Sequence, residues 1–226
     1  MREDWMVADI FLSNISISSN PNNEPVSIHG SSDHLRCIGI GTDAAVFQCI
    51  DVPAYAFKMY ADDKIEKIQI EKKVYELLGD SPYFSTCFGS KDNYLVLRFE
   101  EGINLYDCLL QGVPIPKQII KDIDDAREYV RQKGLNPRDI HLKNVLLQNG
   151  RAKIIDVSEY VQPGNDFRWE HLKKGYQRYY HLIKGKPIPL KIIETIRKRY
   201  NQRSNYSAAF EELISHNYKF LTALKK

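Results

Sequence analysis

No apolar run in the chain approaches the roughly 20 residues that span a bilayer, and Met1-Arg2-Glu3-Asp4 does not open a secretory signal. No membrane role is expected. Net charge is scarce as well: 32 basic against 29 acidic residues leave +3, which argues weakly for a nucleic-acid or membrane-surface partner. Cysteines number four, Cys37, Cys49, Cys87 and Cys108, widely spaced with no Cys-x-x-Cys pair. This usage fits reduced thiols in a cytoplasmic protein better than a disulfide frame or a zinc site.

The 226 residues are 43% hydrophobic and 27% charged, the balance of a globular protein able to bury a sizeable core in one domain, of one or two lobes. Trp5, Met6, Val7, Ile10, Phe11 and Leu12 give the first residues enough apolar character for a short packed helix. Residues 13–34 are rich in Ser, Asn and Pro and read mostly as loop or linker. Residues 1–34 are thus expected to form an extension, with the folded domain running from Leu35 over 35–226.

One stretch of 21 residues, Asn136 to Asp156, organises the rest. Val145-Leu146-Leu147 and Ile154-Ile155 flank Asn149-Gly150, a dipeptide suited to a tight hairpin turn. The hairpin brings Asn144 and Asp156 to one end, and a short loop can carry Asp139 there too. A base, an amide and a carboxylate in that order are what phosphoryl transfer from a magnesium nucleotide requires.

Upstream, Leu35 to Ile50 reads as two antiparallel strands around Gly39-Ile40-Gly41, where glycines let the backbone approach phosphate oxygens. Two glycines in a hairpin also suit a plain turn. Ala56 to Tyr60 alternates as a strand, with Lys58 on the face opposite Phe57 and Met59. Residues 62–78 then form a charged helix ending at Gly79, and Ile68, Tyr75 and Leu78 share a stripe with Glu71. A carboxylate on an apolar face needs a partner; Lys58 is the candidate for Glu71, and Glu66 is the fallback partner for Lys58.

Tyr94 to Phe99 suits an internal strand, and 116–133 suits a helix between Pro116 and Gly134. Beyond Asp156, Leu172, Tyr176, Tyr179 and Ile183 form a core-facing helical stripe with Lys173, Lys174 and Arg178 outward. Ile192, Ile193 and Ile196 belong to a second helix, and Phe210, Leu213 and Phe220 to a third.

These motifs, in this order, resemble the protein-kinase superfamily. Pro137-Arg138-Asp139, Asn144 and Asp156-Val157-Ser158 keep the spacing of its H-R-D-x-x-x-x-N and D-F-G, with Pro137 for the histidine, His141 for the usual lysine, and Val157-Ser158 for Phe-Gly. Gly39, Gly41 and Val46 match its glycine loop, Ala44 replacing the third glycine. The resemblance implies an α+β fold of two lobes, a small antiparallel-sheet N-lobe over about 35–99 and a reduced helical C-lobe over about 103–226. It implies ATP and Mg2+ as cofactors. Lys58, oriented by Glu71, would clamp the phosphates, Asp139 would take or orient the proton of the acceptor hydroxyl, and Asn144 and Asp156 would hold the metal. Backbone groups of Arg98, Phe99, Glu100 and Glu101 would bind the adenine edge beside Leu97. His141 would touch the transferred phosphate or serve as a structural histidine.

Only nine residues separate Asp156 from Asp166-Phe167-Arg168-Trp169, and no Ala-Pro-Glu occurs. No activation segment or peptide platform fits there, so no regulation by activation-loop phosphorylation is expected and Arg138 is left to an internal salt bridge. In this the chain is similar to compact atypical kinases, such as the RIO type and the lipopolysaccharide kinases, and to small serine/threonine-kinase-like proteins of bacilli. The implied activity is γ-phosphate transfer to serine or threonine of a protein, with a small-molecule or sugar hydroxyl as another acceptor. A nucleotide-binding pseudokinase is the alternative from a different class, motivated by Ala44, Pro137 and Val157-Ser158. A nucleic-acid surface over 171–203 is the third, disfavoured by tyrosines at core spacing.

Overall fold

The computed structural model describes residues 4–201; Phe210, Leu213 and Phe220 lie outside them. The fold is α+β, and the chain divides into two compact units. One comprises residues 4–100 with Val157–Val161, the other Glu101–Asp156 with the described residues from Gln162 onward.

The first unit is built on a five-stranded antiparallel sheet: β3 (Leu35–Ile40), β4 (Ala44–Cys49), β5 (Tyr55–Tyr60), β6 (Cys87–Lys91) and β7 (Tyr94–Arg98), in the order β3-β4-β5-β7-β6. Pairing of Phe47 with Phe57 and of Phe57 with Val96 sets these side chains in one row across the sheet. Because side chains alternate along a strand, Val46, Lys58 and Leu95 form the row on the opposite face.

Residues 13–34, expected as loop or linker, are loop and turn for the most part, yet regular elements also lie before Leu35. A 3-10 turn (Asp4–Ala8), helix α1 (Asp9–Leu12) and a hairpin of β1 (Ser16–Ser18) and β2 (Ser27–His29) precede the sheet. Trp5, Leu12, Ile15, Ile17 and Val26 share one core with Phe47, Phe57, Met59 and Val96. Ile15 and Ile17 lie two apart and both point inward, while Ser16 and Ser18 take the solvent face, so few apolar residues suffice.

The other face of the sheet, where Lys58 stands, meets α2 (Glu66–Leu78), which buries Ile68, Glu71, Val74, Tyr75 and Leu78. Gly79 ends the helix at φ 62°, its amide donating to the Tyr75 carbonyl at 2.9 Å. Val157 and Tyr160 are fully buried, and the Tyr160 ring meets Phe84 edge-on at 6.0 Å.

The second unit contains α3 (Leu105–Gln111), α4 (Lys117–Gln132), α5 (Arg168–Ile183), α6 (Leu190–Asn201) and a small sheet of β8 (Ile103–Asn104), β9 (Val145–Gln148) and β10 (Arg151–Ile154). Asn104 caps α3 by accepting the Asp107 amide at 2.8 Å. Ile119, Ile123, Ala126 and Val130 recur at helical spacing and make the buried stripe of α4. Asp122 on the same helix accepts from Arg151 Nε at 2.8 Å and from the Ala152 amide at 3.0 Å, tying α4 to β10.

On α5 the buried residues are Trp169, Tyr180 and Leu182, so the core face is rotated from the expected Leu172, Tyr176, Tyr179 and Ile183, all half-buried. The cause is hydrogen bonding. Tyr176 and Tyr180 stack at 4.5 Å and both engage Ile115, Tyr176 donating to its carbonyl and Tyr180 accepting its amide. Lys173, expected outward, turns to Asp124, which also accepts from Trp169 Nε1 at 2.9 Å. Among the described residues no helix is long and apolar enough to cross a membrane.

Candidate functional site

In the first unit the β-strand period places Lys58 and Tyr60 on one face of β5, and the helical period places Glu71 inward on α2. The three meet. Lys58 Nζ lies 3.0 and 2.8 Å from the two Glu71 oxygens, Tyr60 donates its hydroxyl to Glu71, and the ammonium stands 5.4 Å from the Tyr60 ring centroid. Glu71 is wholly buried and Lys58 is 8% exposed. Glu66, the fallback partner, is exposed. Sequence reading missed Tyr60, although its position two residues from Lys58 on the same strand face is the signal that finds it.

The glycine-bearing hairpin joins β3 to β4, with Gly39 paired to Val46 after a bulge at Cys37. The Gly41 amide donates to the Ala44 carbonyl at 2.8 Å and closes the turn. A Cβ on Gly41 would stand 3.3 Å from that carbonyl, tight enough that the turn favours glycine. Three outside contacts fix it: Val26 N–H donates to the Gly41 carbonyl, Ala61 N–H to the Asp43 carbonyl, and Lys67 pairs with Asp43 at 2.7 Å.

The run expected to meet an adenine edge is partly engaged within the fold. The Arg98 amide donates to the Thr86 carbonyl and the Phe99 amide to the Ala54 carbonyl, each at 2.8 Å, and Ser85 Oγ donates to the Arg98 carbonyl. Those two amides are satisfied within the fold. In the second unit, Gln148 Nε2 donates to the Glu101 carbonyl at 2.8 Å.

The second unit holds Asp139, His141, Asn144 and Asp156 around the β9–β10 hairpin. Asn149 and Gly150, at φ 51° and 78°, form its two-residue turn. Val145 pairs with Ile154, and the Ile155 amide donates to the Asn144 carbonyl at 3.1 Å, so Asn144 and Asp156 flank the same end. Asn144 Nδ2 donates to the Asp139 carbonyl at 3.1 Å and faces Asp139 Oδ2 at 3.4 Å. With the nitrogen arm turned to Asp139, the amide oxygen is on the other arm. An amide oxygen and a carboxylate suit a hard cation such as Mg2+, which takes only one or two protein ligands and completes its shell with phosphates and water. Among the described residues no group of three or more His, Cys, Asp and Glu is placed to hold a metal.

Asp139 has a left-handed backbone, φ 52°, rare outside glycine and tolerated by aspartate. Its amide donates to Asp166 Oδ2 at 2.7 Å, and its side chain is ion-paired with Arg168. Asp166 Oδ1 accepts the Arg168 amide at 3.2 Å, so one carboxylate joins the loop to the start of α5. Neither Asp166 nor Arg168 had an assigned role from sequence, where Asp166-Phe167-Arg168-Trp169 only marks a helix start. Arg138 corrects another expectation: in place of a salt bridge its Nη1 donates to the Pro163 carbonyl at 2.6 Å, beside Asn136 Nδ2 on the Gln162 carbonyl.

His141 Nδ1 faces the Lys143 amide at 3.2 Å, and its Nε2 lies 3.7 Å from Asp139 Oδ2. Burial first, and then the Arg168 charge, push its pKa down from 6.5 to about 4. At neutral pH the ring is uncharged, so it can donate a hydrogen bond but bring no positive charge.

No family model matches the chain. It is 31% identical over 164 residues to the Bacillus subtilis serine/threonine-protein kinase YrzF, whose kinase designation is itself provisional; the match covers 71% of this chain and 74% of that protein. It is 34% identical over 67 residues to testis-specific serine/threonine-protein kinase 3 of Mus musculus, over 28% of this chain and 25% of that one. Over 116 residues it is 28% identical to atypical protein kinase C of Drosophila melanogaster, with 46% and 19% covered. With the bacillar relative matched over most of both chains, this chain belongs to the serine/threonine protein kinase family.

Proposed function

We propose that the chain is an ATP- and Mg2+-dependent phosphotransferase that moves the γ-phosphoryl group to a hydroxyl, that of serine or threonine in a protein. The observation that carries this reading is the buried Lys58–Glu71 pair at 2.8 Å. A buried ion pair stabilises little over an apolar pair of the same volume, so its presence is better explained by phosphate binding. There Lys58 binds nucleotide oxygens while Glu71, itself held by Tyr60, orients it. Gly39, Gly41 and Val46 cover the nucleotide.

In the second unit, Asp139 orients the acceptor hydroxyl and accepts its proton, and Asn144 fixes the Asp139 side chain. Asn144 Oδ1 and the Asp156 carboxylate hold the metal; when bound, Mg2+ neutralises the phosphate oxygens. His141 donates a neutral hydrogen bond at the acceptor side. Four free cysteines support action in a reducing compartment, the cytoplasm.

A second reading, nucleotide binding without transfer, is favoured by Arg168 occupying a carboxylate oxygen of Asp139. The test is transfer from γ-labelled ATP with magnesium to the protein itself, a generic basic protein or cell extract. The phosphotransferase reading requires a wild-type signal that both Asp139→Asn and Asp156→Ala lose. Nucleotide-dependent thermal stabilisation with no transfer to any acceptor sinks it in favour of the second reading.

A further inference from the structure

Phosphoryl transfer places negative charge on the equatorial oxygens of the moving group, and a positioned arginine there accelerates the step about 10³–10⁵-fold in enzymes that use one. The loop around Asp139 carries three other polar groups that could meet this need. Arg138 is turned to the Pro163 carbonyl at 2.6 Å, Lys143 Nζ sits 4.8 Å over the Tyr106 ring, and His141 presents Nδ1 to the Lys143 amide. The guanidinium that stands on Asp139 comes from elsewhere, the first turn of α5.

We propose that Arg168 is a catalytic residue of the transfer, its guanidinium reaching from Asp139 to the moving phosphoryl group. The inference rests on the phosphotransferase reading. Its geometry is built into the fold: Asp166 accepts the amides of both Asp139 and Arg168, at 2.7 and 3.2 Å, and lies 3.7 Å from Arg168 Nε. The two backbones are thus held in fixed register. A guanidinium has five donors in a planar fork, so one N–H can remain on Asp139 Oδ1 while others meet phosphate oxygens. In the step itself the acceptor oxygen forms a bond to the γ-phosphorus and the bond from that phosphorus to the bridging oxygen breaks. ADP leaves, and the hydroxyl proton passes to Asp139. Arg168 exchanges no proton; it stabilises the charge and keeps Asp139 aimed.

The test compares wild type with Arg168→Ala and Arg168→Lys, using γ-labelled ATP and the best acceptor found. Nucleotide Kd, melting temperature and rescue by added guanidinium chloride are measured in parallel. The expected result is a fall in kcat of about 10³-fold for Arg168→Ala, a smaller fall for Arg168→Lys, unchanged nucleotide affinity and partial restoration by free guanidinium. The side chain is 45% exposed, so both variants should fold. An Arg168→Ala rate equal to or above wild type would show that Arg168 merely occupies Asp139 and would overturn the inference alone. So would a loss accompanied by a lowered melting temperature and no rescue by guanidinium. Absence of transfer by the wild type overturns both this inference and the phosphotransferase reading.

Discussion

The Asp139 amide donates to Asp166 Oδ2 at 2.7 Å while the Asp139 backbone stands at φ 52°. A strained conformation persists only when its surroundings hold it, and Asp166 is the holder. Asp166→Ala leaves the half-buried amide unsatisfied and should cost about 1–3 kcal/mol in denaturant unfolding, with transfer reduced as well. Asp166→Asn, which keeps one carbonyl acceptor, should lose less.

Glu71→Ala removes the carboxylate that meets the buried Lys58 ammonium at 2.8 Å, and about 3–5 kcal/mol of stability should be lost. Glu66→Ala, on the exposed side of α2, should stay within about 0.5 kcal/mol of wild type. Tyr60→Phe removes only a hydroxyl donor and should cost about 1 kcal/mol. Chemical denaturation of the three variants checks the order, and equal losses for Glu71 and Glu66 would contradict the assignment of the pair.

Ile17 is 1% exposed in the core beneath the sheet and Ile10 is 69% exposed on α1. Ile17→Ala should lose about 2–5 kcal/mol, and Ile10→Ala should lie within about 0.5 kcal/mol of wild type. Were residues 13–34 a linker, both would be silent.

His141 gives a pH signature. Its folded pKa of about 4 lies below the ordinary 6.5, so below pH 6.5 the unfolded chain takes up a proton that the folded chain refuses. Stability is therefore unaffected above 6.5 and falls as the pH drops from 6.5 toward 4. A shift of that size corresponds to about 3 kcal/mol, and solvent screening of the partly exposed ring reduces it to about 1–2 kcal/mol. Asp122 and Glu170 act only at lower pH, since against burial their hydrogen bonds to Arg151 and Arg127 hold them below the ordinary carboxylate values. His171, also held below 6.5 by burial, adds to the same window, so unfolding free energies between pH 7 and 4.5 should show a slope that His141→Gln reduces without abolishing.

The thiols provide a check on packing. Burial pushes Cys87 and Cys108 each up to about 11. At pH 8.5 both should be alkylated far more slowly than a free thiol, as mass spectrometry of iodoacetamide-treated native protein would record.

The parts of the fold legible in the sequence are those governed by local physics. Asn149-Gly150 specifies its hairpin turn by positive φ, Ile119 to Val130 specify α4 by period, and Glu71 announces a partner because an unpaired carboxylate on an apolar stripe is costly. The N-terminal hairpin was hidden by composition. Ile15, Ile17 and Val26 are too few among Ser, Asn and Pro to register as a pattern, yet each fills the core. Tyr60 is legible only from its place beside Lys58 on the same strand face. Asp166 and Arg168 were not readable at all, because their meaning depends on a fold that brings residues 27 and 29 positions away onto Asp139. The same holds for the amides of Arg98 and Phe99, whose acceptors, the carbonyls of Thr86 and Ala54, are set by tertiary structure.

The measurement that bears most directly on the whole account is transfer of label from γ-labelled ATP in the presence of magnesium by wild type, Asp139→Asn and Asp156→Ala. Incorporation by the wild type and its loss in both variants are expected, with all three melting normally in the absence of nucleotide. Incorporation that survives Asp139→Asn, or none from a folded, nucleotide-stabilised wild type with any acceptor, would contradict it.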